Sequence, residues 1–116
     1  MIHEMRLTPE PFEKINAGKK TIEIRLYDEK RQKVKIDDII IFHKLPDNAE
    51  IIKVKVIGLS FFKSFRDLFS NFDKSKFGHD KNLSIDEEIQ MQRAYYSEEE
   101  EKKYGVIGIH IQLLKE

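Results

Sequence analysis

One eight-residue stretch limits what this chain can become. Gly18-Lys19-Lys20-Thr21-Ile22-Glu23-Ile24-Arg25 puts a turn residue ahead of a two-residue alternation. Thr21, Glu23 and Arg25 face one way, and Ile22, Ile24 and Leu26 the other, so the segment is a strand with one polar and one apolar face. A solvated strand face would show the same alternation, because Lys, Glu and Arg are surface residues by default. The density of charge sets this face apart: Lys19, Lys20, Glu23 and Arg25 fall within eight positions. Gly18 turns the chain at the end of a preceding helix, which leads Lys20 to the mouth of the strand.

The rest of the chain supplies a frame for that strand. Ile2 to Leu7 reads as an extended lead-in. Thr8 is an N-cap with Pro9 at the first helical position, and the helix runs about nine residues, with Phe12 and Ile15 on one face, to Gly18. Tyr27 to Lys35 is a polar loop, whose cations Lys30, Arg31, Lys33 and Lys35 suit either solvent or a ligand rim. Asp37-Asp38 is a tight turn, and Ile39 to His43 a strand buried on both sides at its centre. Ile51 to Leu59 alternates, with Ile52, Val54 and Val56 against Lys53 and Lys55, as a central strand does. Phe61, Phe65, Phe69 and Phe72 recur at helical spacing behind a Ser64 cap. Such a stripe is more often core than a base-stacking platform. Ser84-Ile85-Asp86-Glu87 and Ser97-Glu98-Glu99-Glu100 both match the capping box, predicting helices to about Tyr95 and to Gly105. Val106 to Leu114 closes the chain as a strand with Ile107, Ile109, Ile111 and Leu113 inward and His110 and Gln112 on the opposite face. The order β-α-β-β-β, helical insert, β predicts an α+β fold. It is a small β-barrel with short flanking helices and a helical insert before the last strand, with residues 1–116 as one domain.

Charge narrows the function. The net charge is zero, which argues against a protein that coats polyanions indiscriminately. The balance is local: residues 19–35 hold seven basic and three acidic side chains, and residues 84–101 seven acidic and one basic. The acidic run lies in two first helical turns, where carboxylates meet the positive helix end, so it does not read as a metal site. Cysteine is absent, which excludes disulfides, thiolate nucleophiles and cysteine-ligated zinc. His3, His43, His79 and His110 show no metal-ligand spacing, and no metal or cofactor is expected. No run of about 18 apolar residues exists, and Met1 to Arg6 lacks an apolar signal core, so the expectation is a cytoplasmic protein away from membranes.

Lys20, Glu23 and Arg25 therefore form the one dense polar constellation. As a binding site, the cations would hold a phosphate or base edge while Glu23 accepts from an amino group. As a catalytic site, a desolvated Lys20 would act as base or nucleophile and Glu23 would shuttle a proton.

Gly18, Lys20, Glu23 and Arg25 fill the order Gly-x-Lys-x-x-Glu-x-Arg, which resembles the signature of the ASCH domain family, part of the PUA-like superfamily of small β-barrels. Tyr104-Gly105-Val106-Ile107-Gly108-Ile109 is similar to the family's last strand. The resemblance implies a PUA-like barrel whose cleft binds single-stranded RNA or a nucleotide. Gly18, Lys20, Thr21, Glu23 and Arg25 would line it, joined by Tyr104 and His110 from the last strand. One branch of the family hydrolyses the acetamide of N4-acetylcytidine with a Lys, a Thr and a Glu. The Lys falls on Lys20, but the Thr falls on Glu23, so a hydroxyl has become a carboxylate. The alternative reading is thus a small hydrolase of a modified nucleoside or of RNA, with Lys20 and Glu23 as its acid/base residues.

Overall fold

The computed structural model describes residues 1–114. Strand β1 (Ile2–Leu7) leads into helix α1 (Pro9–Asn16), which starts at Thr8 with Pro9 inside its first turn. Gly18 follows with φ 76°, the left-handed turn that the sequence placed there. Strand β2 (Ile22–Leu26), a short 3₁₀ turn at Arg31–Lys33, β3 (Ile39–Lys44) and β4 (Ile51–Phe62) come next. Asp37 takes φ 77° in the turn before β3. The insert holds α2 (Phe65–Asn71), a 3₁₀ turn at Lys74–Phe77, α3 (Ile85–Gln92) and α4 (Glu98–Tyr104), and β5 (Val106–Leu113) ends the described chain. Both capping boxes form, with Ser84 and Ser97 accepting from the amides of Glu87 and Glu100.

The five strands make one curled half-barrel sheet in the order β1-β3-β4-β5-β2. Only β1 and β3 run parallel; the other neighbours are antiparallel. The edges β1 and β2 share no ladder among the described residues, so the barrel has a seam. β4 and β5 pair from Val54↔Leu113 to Phe62↔Val106, with a register shift between Val56 and Gly58.

Both faces of the sheet are covered. On one, Phe12 and Ile15 of α1 pack with Met5, Ile40, Phe42, Val54, Ile107 and Ile109. On the other, Ile22, Ile24 and Leu26 pack with Phe65, Leu68, Phe69 and Phe77 of the insert. Burying each such side chain contributes about 1.5–3 kcal/mol before entropy is counted. Phe65 and Phe69 are core, as their spacing implied, but the stripe breaks at both ends. Phe61 belongs to β4, which runs three residues past Leu59; it is exposed, edge-on to Tyr27 at 5.0 Å. Phe72 lies beyond the end of α2, because the chain turns extended there. Helix α3 ends at Gln92, short of Tyr95. β3 is less enclosed than its run of isoleucines implied: Ile40 and Phe42 are buried, while Ile39 and Ile41 are half-buried. Among the described residues no helix is long and apolar enough to cross a membrane.

Candidate functional site

The polar face of β2 is not solvated. Its apolar face is taken by the insert, and Glu23 and Arg25 point instead towards the seam between β2 and β1. Glu23 is 3 % exposed. Its Oε1 lies 2.8 Å from Lys20 Nζ, and Oε2 lies 2.8 Å from Arg25 Nη2 and accepts from Nε at 2.9 Å. Oε1 also accepts from the Ile24 amide at 3.2 Å, one donor of the free edge of β2. Arg25 Nη2 donates to the Arg6 carbonyl at 3.0 Å and so bridges the seam to β1. Lys20 is brought in by the Gly18 turn, whose Lys19 and Lys20 amides both donate to the Lys14 carbonyl.

The electrostatics follow from that packing. Burial alone would push the Glu23 carboxyl up, but Lys20 and Arg25 beside it outweigh burial and hold it at about 2. Burial likewise opposes the Arg25 charge, and Glu23 more than restores it. The trio therefore sets one carboxylate between two cations, with one cation in excess.

A cleft of about 450 Å³ opens over this cluster. Thr8, Pro11 and Lys14 of the α1 region form one wall, and Met91, Gln92, Tyr95 and Tyr96 at the end of α3 form the other. Four cations (Arg6, Lys14, Lys20, Arg25) line it against two carboxylates (Glu10, Glu23). Tyr96 is anchored, its ring stacked on Phe65 at 5.9 Å, whereas Tyr95 is 61 % exposed. His79 joins the floor with its Nδ1 2.8 Å from Glu88 Oε2, and Glu88 is wholly buried. A carboxylate there favours the ring proton on Nδ1. Burial lowers the His79 pKa, against the Glu88 bond, and the Lys20 and Lys14 charges add to the lowering.

The expected residues divide into three groups. Lys20, Glu23 and Arg25 meet in the cleft. Gly18 and Thr21 line a shallower depression beside it, on the far side of Lys14 and His79. Tyr104 and His110 line neither: Tyr104 packs against the insert, and His110 Nε2 meets Ser60 Oγ at 2.8 Å with its ring against Phe72. The cations of the basic loop are not among the residues lining the cleft, and Arg31 is paired with Asp28. The sequence reading missed Tyr95, Tyr96 and His79. The adjacent tyrosines just after a capped helix were the available signal for the first two; His79 reaches the site only through the fold of the insert.

Comparison with known proteins agrees with the fold. No curated protein matches the sequence. The crystal structure of the hypothetical protein PH0355 is 42% identical, covering 98% of this chain and 100% of its own, with a TM-score of 0.86. The solution NMR structure of protein PF0455 from Pyrococcus furiosus is 40% identical over 100% of both chains, with a TM-score of 0.79. The crystal structure of ASCH from Zymomonas mobilis shares the fold at 15% identity and a TM-score of 0.56, over 96% of this chain and 66% of that one. Residues 5–115 match the sequence profile of the ASCH domain, nearly the whole chain, and this protein belongs to the ASCH domain family.

Proposed function

We propose that the cleft binds single-stranded RNA or a nucleotide, with Lys20, Glu23 and Arg25 as its polar floor and Gly18 and Thr21 at its margin. The observation that carries this reading is the pairing of a net-cationic cleft with an exposed aromatic ring, Tyr95, on its wall. A base stacks on such a ring for roughly 1–3 kcal/mol regardless of its identity, and the cations hold phosphate or a base edge. Arg25 is already fixed by Glu23 and by Arg6, so its remaining donors are presented without further loss of side-chain freedom.

The hydrolytic reading asks more of Glu23 than its surroundings give. A carboxyl held at about 2 stays charged through the working range, and both its oxygens already hold cations. It is suited to orienting Lys20 and Arg25 rather than to moving protons.

The test is calorimetric titration of cytidine monophosphate and a short single-stranded RNA into wild type, Tyr95→Ala and Lys20→Ala, with product analysis of each mixture. Binding that falls about tenfold in Tyr95→Ala, with the melting temperature unchanged, supports the reading. Equal affinity in all three proteins rejects it. Turnover that Glu23→Gln and Lys20→Ala abolish would instead establish the hydrolase.

A further inference from the structure

The depression beside the cleft is lined by Lys14, Gly18, Lys19, Thr21, Ser75, Lys76, Gly78 and His79, and no carboxylate is among them. It shares Lys14 and His79 with the cleft, so the two adjoin, and their linings together make one track. Along that track lie six cations, Arg6, Lys14, Lys19, Lys20, Arg25 and Lys76, against two carboxylates, Glu10 and Glu23. The whole chain carries no net charge, so this face gathers a cationic excess that the rest of the surface offsets. Two different segments build the groove, the turn after α1 and the 3₁₀ turn at Lys74–Phe77, and the Thr21 amide ties them by donating to the Lys76 carbonyl at 2.9 Å. Lys14 is aimed across the junction by its bond to the Gly78 carbonyl at 2.7 Å. Asp73, the acidic neighbour of this turn, is occupied in accepting from the Ser75 amide.

We infer that this groove is the seat of the phosphodiester next to the nucleotide held in the cleft, which makes the site a reader of a single strand rather than of a free nucleotide. The inference rests on the proposed nucleotide cleft and adds the direction in which the strand leaves it. Past Lys14 and His79, the backbone would lie between Lys19 and Lys76. These two lysines are exposed, paired with no carboxylate among the described residues, and free to meet phosphate oxygens. Lysine suits this role because phosphate contacts position a strand without reading its sequence.

The test compares wild type with the Lys19→Ala/Lys76→Ala double variant, using cytidine monophosphate and hexacytidylate RNA as probes in a salt series. Wild type should bind the hexamer more tightly than the monophosphate. The double variant should lose about tenfold on the hexamer and nothing on the monophosphate. Its log–log salt slope should fall by about 1.4, two single-strand phosphate contacts at about 0.7 each. The Lys102→Ala/Lys103→Ala variant removes the same charge from α4, outside both depressions, and should leave all these values unchanged. Unchanged hexamer binding in the groove variant overturns the inference, as does an equal loss in the α4 variant. If wild type binds the monophosphate but gains nothing from the longer strand, the groove inference alone fails. If wild type binds neither probe, the cleft reading fails with it.

Discussion

Glu23 is the residue on which the site turns. It is a buried anion between two cations, and its surroundings hold it at about 2 against an ordinary carboxyl near 4.5. Because the folded value is depressed, its stabilising effect is fully present above about 4.5 and is lost as pH falls through about 2. The difference corresponds to about 3 kcal/mol at neutral pH. Glu23→Gln should therefore destabilise the protein by about that amount at pH 7, and the gap to wild type should close towards pH 2–3 in denaturant melts. A gap that is constant with pH would mean the carboxylate charge is not what stabilises the site. Asp38, bonded to His3 and also held at about 2, weakens the fold in the same acid window in both proteins, so the comparison isolates Glu23.

At the scale of elements, the sequence was most informative where local chemistry sets local structure. Pro9, Ser84 and Ser97 start helices where their caps indicated, and the Ile–Glu–Ile–Arg alternation is β2. It was least informative where one element's environment comes from another. The alternation could not tell that the polar face of β2 would be enclosed, because that depends on the insert taking the apolar face and α1 crossing the seam. Phe61 was read with a helix because four phenylalanines at matching intervals do not reveal where a strand ends. The turn into β5 gives a sharp test. Gly105 has φ 73° and ψ −173°, a region open essentially to glycine, and a Cβ there would sit 3.1 Å from the Phe62 carbonyl oxygen. Gly105→Ala should cost about 2–3 kcal/mol by thermal melting. At Gly18 a Cβ would meet nothing within 4 Å, so Gly18→Ala should cost only about 1 kcal/mol, the left-handed backbone penalty alone. Equal costs at both sites would refute the crowding at Gly105.

At the scale of the molecule, the half-barrel leaves β1 and β2 unpaired with each other among the described residues, and the candidate cleft occupies that opening. Arg25 holds the two edges together while presenting charge to the cleft, so stability and site share one guanidinium. Arg25→Met should lower unfolding free energy by about 3 kcal/mol and speed amide exchange along β1 near Arg6. Arg66→Met, which breaks an exposed pair with Asp86, should cost below about 1 kcal/mol. Comparable losses would mean the seam bond is worth no more than a surface ion pair. Entry of a ligand at the seam would be visible in a ¹⁵N-resolved NMR titration with short single-stranded RNA. The amides of Lys20, Arg25, Tyr95, Tyr96 and His79 should shift together and saturate at one RNA per protein. Shifts centred instead on Tyr104 and His110, or on the acidic first turns of α3 and α4, would contradict binding at the seam, as would an unchanged spectrum.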